Sequence, residues 1–161
     1  MKIPYGLSNF KTIIEEGCLY IDKTAYIPAL EEQGRYNILL RPRRFGKSLF
    51  LSTLKHYYDV RGKGEFEILF RGLVVGEHPT PLHSSYQVLF FDFSGIATDD
   101  AEIIRRNFTS RVENCLLAFL EQYHYGPEAA EEIRSQESPQ EKIDCLFRVC
   151  RGQKLYLLID E

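Results

Sequence analysis

Asn37 to Leu54 reads N-I-L-L-R-P-R-R-F-G-K-S-L-F-L-S-T-L, and this stretch decides which fold the rest of the chain must serve. An apolar run, a tight basic loop closing on Gly46-Lys47-Ser48, and a helix-compatible segment follow one another without a break. That order describes a strand, a phosphate-cradling loop and a helix. Backbone N–H groups at a helix N-terminus attract anions, a lysine beside them reaches the outer phosphates of a nucleotide, and a serine hydroxyl ligates Mg²⁺. The residues expected to meet a nucleotide are therefore Arg44, Phe45, Gly46, Lys47, Ser48 and Leu49, with Ser48 also a metal ligand.

The loop departs from G-x-x-x-x-G-K-[ST] by carrying Arg41 where that pattern has its first glycine. Pro42 pushes Arg41 toward extended backbone and itself has no N–H to offer, so the cradle falls to the amides of Phe45 through Ser48. A bare Gly-Lys-Ser arises by chance in about one chain in ten of this size, so the tripeptide needs support from elsewhere. The arginines Arg41, Arg43 and Arg44 admit three readings: braces pairing with carboxylates or helix C-termini, contacts to nucleotide phosphates, or contacts to nucleic acid.

Support comes from the other end. Leu155 to Glu161 reads L-Y-L-L-I-D-E, too short for a helix and too continuously apolar for a strand with one wet face. It suits a buried parallel strand closing on two carboxylates. In a phosphate-loop ATPase such a strand sets its terminal Asp beside Mg²⁺ and a following Glu against the attacking water. Asp160 and Glu161 fit those roles, Asp160 as metal ligand and Glu161 as the catalytic residue.

With these segments in view, the chain resembles the predicted AAA-ATPase-like proteins of bacteria and archaea, whose phosphate loop reads R-P-R-R-F-G-K-[ST]. The likeness extends to P-Y-G-L-S-N-F at the start, Y-I-D-K-T from Tyr20 to Thr24, G-E-F-E-I-L-F-R-G-L from Gly64 to Leu73, and F-F-D-F-S-G from Phe90 to Gly95. The resemblance implies an α/β fold: a P-loop NTPase with a parallel sheet core and flanking helices, residues 1–161 forming the N-terminal part of one domain that stops just after the Asp-Glu (Walker B) strand. It implies ATP and Mg²⁺ as ligands, and ATP hydrolysis in the full-length protein. Adenine over guanine rests on the resemblance alone. Longer relatives carry a C-terminal region resembling PD-(D/E)XK nucleases. An acidic residue two positions before a lysine occurs nowhere here, so any nucleic-acid role is expected only through such a further region. The rival reading is a switch that binds nucleotide, hardly turns it over, and acts through a protein partner or a second copy.

Composition bounds these readings. The 161 residues suffice for one core, and 44% hydrophobic with 27% charged residues are ordinary globular values, which excludes disorder as a whole-chain state. A net charge of −3 argues against strong nonspecific nucleic-acid binding. No apolar run approaches a membrane span, and the N-terminus lacks a signal peptide's apolar core, so no membrane role and a cytoplasmic location are expected. Cys18, Cys115, Cys145 and Cys150 form no C-x-x-C pair and read as reduced packing thiols. The four histidines show no metal-ligand spacing.

Along the chain, a capped helix is expected from Ser8 to Glu16, a helix started by Asp22 or Thr24 and ended by Gly34, and one from Ser48 to Tyr58 burying Leu51, Leu54 and Tyr58. Gln87 to Phe93 reads as a second core strand, with Asp92 facing solvent or pairing locally and a catalytic role as the minor alternative. Ala101 to Tyr123 is the clearest helix, with Ile104, Phe108, Val112, Cys115, Leu116, Phe119 and Tyr123 as its core stripe. Pro127 to Arg134 reads as a solvated helix, and Ser138-Pro139-Gln140-Glu141 as a capping box opening another.

Overall fold

Local signals account for most helix ends. In the computed structural model, which describes residues 2–40, 42, 44–95 and 100–160, the chain divides into two compact units, Met1–Tyr86 and Gln87–Glu161. Arg41, Arg43 and Glu161 lie outside the described residues.

The first unit is helical. Helix α1, Phe10–Glu15, is capped by Asn9, whose Oδ1 accepts the Thr12 N–H at 3.1 Å. After Gly17, Cys18 bridges Lys2 in parallel. Helices α2 (Tyr26–Gln33) and α3 (Lys47–Tyr58) follow, then a 3₁₀ turn (Val60–Gly64) and two single-turn helices, α4 (Phe66–Leu69) and α5 (Val74–Glu77). The face of α3 that carries Phe50, Leu54, Tyr57 and Tyr58 is buried, at the spacing of one helical stripe. Around it Phe70 packs on Phe10, Tyr57 and Phe66 with ring centroids 5.0, 5.5 and 4.9 Å apart. Gly76 is required for this packing, since a Cβ there would overlap the Phe70 carbonyl.

Two expectations are corrected in this unit. The apolar run Asn37 to Leu40 forms no strand, and Ile38 and Leu40 are each 86% exposed. An extended segment becomes a strand only when a neighbour completes its hydrogen-bond ladder, and the ladder among the described residues is made elsewhere. Asp22 and Thr24 do not start α2, whose N-cap is Ala25 with no side-chain hydrogen bond. Asp22 Oδ1 accepts from the Thr24 N–H and hydroxyl, while Asp22 Oδ2 and Thr24 Oγ1 accept the Val74 and Val75 N–H groups. These oxygens strap the segment before α2 to α5.

The second unit is a two-stranded parallel sheet with three helices: β1 (Gln87–Asp92), α6 (Ala101–Gln122), α7 (Pro127–Arg134), α8 (Pro139–Val149) and β2 (Leu155–Asp160). The strands pair in register from Gln87 opposite Leu155 to Asp92 opposite Asp160. The expected capping box is present: Ser138 Oγ accepts the Glu141 N–H and Glu141 Oε2 accepts the Ser138 N–H. Leu89, Phe91, Val112, Leu116, Phe119, Leu120, Ile133, Cys145, Leu146 and Cys150 form the core. The thiols of Cys18, Cys115, Cys145 and Cys150 are free.

The stripe on α6 is core only over its second half. Ile104 and Phe108 are each 39% exposed. A 22-residue helix is about 33 Å long against about 20 Å for a six-residue strand, so its first turns outrun the sheet they were expected to cover. Phe108 instead stacks on Phe93 at 5.1 Å. Among the described residues, no helix is long and apolar enough to cross a membrane.

Candidate functional site

The N-terminus of α3 is built to be electropositive. Gly46 is its N-cap, with φ 76° and ψ 27°, and nothing lies within 4 Å of where a Cβ would be. This left-handed conformation suits glycine and turns the chain sharply into the helix. The first bond of the helix runs from the Phe50 N–H to the Gly46 carbonyl at 2.9 Å. The N–H groups of Lys47, Ser48 and Leu49 therefore have no helical acceptor, and no side chain caps them. There is also no acidic residue in the first turn to offset the helix dipole.

The side chains add to this field. Arg44, exposed and itself at φ 68°, and Lys47, half-buried, make no ion pair among the described residues. The Ser48 hydroxyl likewise has no hydrogen-bond partner among them. Phe45 is exposed, and its N–H is turned to the Pro42 carbonyl at 3.4 Å. Leu49 is half-buried, and its carbonyl accepts the Thr53 hydroxyl at 2.9 Å.

The body of α3 holds this end in place. Ser52 Oγ accepts the Phe10 N–H at 3.0 Å, and Thr53 Oγ1 meets the Tyr20 hydroxyl at 3.2 Å. At its other end, Tyr58 donates to Glu31 Oε1 at 2.9 Å, and that same oxygen accepts the Thr80 hydroxyl at 2.8 Å. The strand-loop-helix reading passed over these polar groups. The one available signal was Ser52-Thr53 in the middle of an otherwise apolar helical face.

In the second unit, Asp160 closes β2 at the carboxyl end of the parallel pair. It is half-buried, its carbonyl accepts the Phe93 N–H at 2.9 Å, and its carboxylate makes no ion pair or hydrogen bond among the described residues. Carboxyl ends of parallel strands are where open α/β sheets bind ligands. Asp92, opposite it in β1, accepts the Ser94 N–H at 2.9 Å. The Ser94 side-chain hydroxyl first, then that backbone bond and the Arg111 charge, hold the Asp92 carboxyl below the usual aspartate range. Among the described residues no group of three or more His, Cys, Asp or Glu side chains forms a ready metal cage.

A buried cation that sequence reasoning missed sits in the same unit. Lys142, 3% exposed, donates through Nζ to the carbonyls of Ile133 and Gln136 at 3.0 and 2.6 Å and pairs with Glu113 at 2.9 Å. It closes the C-terminal end of α7 against α6 and is a packing group. The sequence signal was weak: a lysine inside a capping-box helix, three residues before a buried cysteine.

Residues 4–161 match the family described as Predicted AAA-ATPase, and the chain belongs to that family. Its curated relatives include an "Uncharacterized protein in vnfD 5'region" of Azotobacter chroococcum mcd 1, which is 40% identical over 102 residues. That match covers 63% of this chain and 19% of the relative, so the chain spans only a small part of that protein's length. No solved structure matches the chain.

Proposed function

We propose that this member of the predicted AAA-ATPase family binds Mg²⁺-ATP at the N-terminus of α3, and that the full-length protein hydrolyses it. The observation that carries the reading is the start of α3: a left-handed glycine, no acid in the first turn and, among the described residues, three unclaimed amides and two unpaired cations, Arg44 and Lys47. A polyphosphate matches that donor set, since each amide and each cation gains an acceptor. Oxygen donors such as Ser48 and Asp160 match a hard divalent cation such as Mg²⁺.

The roles follow from the chemistry of each group. Lys47 neutralises the outer phosphates, and the amides of Lys47, Ser48 and Leu49 orient them. Ser48 and Asp160 supply oxygens to Mg²⁺, directly or through water. Glu161, next after Asp160, orients the attacking water. Bound Mg²⁺ would offset the charge that develops on the phosphates. Positioning and electrostatics supply most of the catalysis in phosphoryl transfer, so precise placement of Glu161 governs turnover.

Thermal melting of the wild type and Lys47→Ala, with and without Mg²⁺-ATP, tests this. A ligand specific for the folded state adds about 2.7 kcal/mol at a hundredfold excess over its dissociation constant. The expected result is an upward shift for the wild type and none for Lys47→Ala. Equal shifts in both proteins, or no shift in a cooperatively melting wild type, overturn the reading.

A further inference from the structure

Strand β2 has two edges, and β1 occupies one of them. The Gln87 and Phe93 N–H groups donate to the carbonyls of Lys154 and Asp160, so the even-numbered residues of β2 turn their backbone groups toward β1. Backbone direction alternates along a strand, which turns the N–H and C=O groups of Leu155, Leu157 and Ile159 the other way. Among the described residues these outward groups have no hydrogen-bond partner.

The side chains at this edge are bare as well. Leu157 and Ile159 stand in register beside Leu89 and Phe91 and share their face of the sheet. Leu89 and Phe91 are 2% and 4% exposed within the core, whereas Leu157 and Ile159 are 50% and 55% exposed. Sheet edges are ordinarily guarded by a charge, a proline or a bulge, yet L-Y-L-L-I from Leu155 to Ile159 carries neither charge nor proline. Such an edge accepts another strand.

The ends of β2 say which strand fits. Lys154 precedes the apolar run and Asp160 closes it, and neither side chain makes an ion pair among the described residues. Laid antiparallel on itself about Leu157, β2 pairs Leu155 with Ile159 of the second copy, Leu157 with its own counterpart, and Lys154 with Asp160 at both ends. This is the register in which the three outward residues all pair with one another, and it is self-complementary in charge, as a two-fold contact requires.

We propose that β2 pairs with β2 of a second copy of this chain in that register, joining two sheets into one across a two-fold axis. The outward backbone groups of both copies gain partners, the exposed leucine and isoleucine side chains meet across the axis, and a lysine–aspartate pair closes each end. So short a contact gives a weak dimer, half-formed on the order of 10 μM. The inference does not depend on the nucleotide reading. A carboxylate has acceptor sites enough for a lysine and a metal together, so both uses of Asp160 are compatible.

Sedimentation velocity on the whole chain from about 1 to 100 μM, without nucleotide or Mg²⁺, tests the pairing. For the wild type the expected mass rises toward twice that of the monomer. Lys154→Glu and Asp160→Lys each set like charges opposite one another and should raise the concentration for half-association roughly tenfold. An equimolar mixture of the two variants should associate as the wild type does, because each supplies the charge that the other's altered position needs. The two positions are about 20 Å apart along one strand, so recovery in the mixture arises only between copies. Lys154 is exposed, and its substitution should leave the melting temperature unchanged. A wild type that stays monomeric throughout, a dimer that Lys154→Glu leaves unchanged, or a mixture that fails to recover association overturns the pairing.

Discussion

Two apolar runs of this chain, Asn37 to Leu40 and Leu155 to Ile159, are built from the same kinds of residue, yet only the second is a strand. Leu158 is 5% exposed inside a ladder with β1, whereas Ile38 stands 86% exposed with no ladder among the described residues. Hydrophobicity is common to both, so it cannot be what separates them. A partner strand is, because its N–H and C=O groups complete the hydrogen bonds and its side chains cover the face.

The sharpest way to break this comparison is Leu158→Ala, which removes a buried strand residue and should cost about 3 kcal/mol in urea denaturation. A cost below 1 kcal/mol would mean that β2 is no better packed than the exposed run. Next comes Lys142→Met, which strips the Ile133 and Gln136 carbonyls of their donor and strands the Glu113 carboxylate. It should cost roughly 2 to 3 kcal/mol by the same assay.

A smaller effect contrasts the helical unit through pH. Burial first, then the charges of Lys55 and Lys11, lowers the His56 pKa from 6.5 to about 4. The folded state thus keeps this imidazole neutral where the unfolded chain protonates it. Stability from His56 is complete above pH 6.5 and is lost as the pH falls toward about 4, to an extent on the order of 2 kcal/mol. Melting curves across that window should flatten in His56→Phe, and an unchanged pH profile would remove His56 as the cause. Smallest of all, Ile38→Ser should change stability by less than about 0.5 kcal/mol, since it exchanges one exposed side chain for another. A large cost there would erase the contrast between the two runs.

How much was legible depended on whether a signal was local. The capping box at Ser138 and the stop after Gln33 at Gly34 follow from residues within one turn of the boundary they set, and the expected starts at Ser8 and Ser48 fall within two residues of the observed Phe10 and Lys47. The β1 and β2 runs were legible as strands from composition and length, but the expected burial of β2 on both faces was not met, since Leu157 and Ile159 are 50% and 55% exposed. Asp22 and Thr24 read as a helix start because capping chemistry near α2 is the local reading of those residues. Their true acceptor role lies about fifty residues away at Val74 and Val75, and no spacing rule reaches that far. Phe108 read as core because helical periodicity says which face a residue occupies but not where the opposing sheet stops.

The candidate site divides the same way. Gly46, Lys47 and Ser48, and the closing Asp160-Glu161, were visible as motifs because adjacent residues share one turn of backbone. That Asp92 is the register partner of Asp160 was not visible, since strand register is a long-range property.

By itself, then, the sequence determined the capping-box start of α8, the stop of α2 at Gly34, the glycine that opens α3, the absence of a carboxylate in its first turn and the two six-residue runs closing on aspartate. Each is a consequence of backbone geometry and side-chain chemistry within a few residues. Only the tertiary structure decided which apolar run became a strand, which residues of the α6 stripe were covered, where the oxygens of Asp22 and Thr24 were used, and that Asp92 faces Asp160. Those outcomes turn on contacts between residues far apart in the chain, whose hydrogen bonds and buried surface exist only once the partner has arrived.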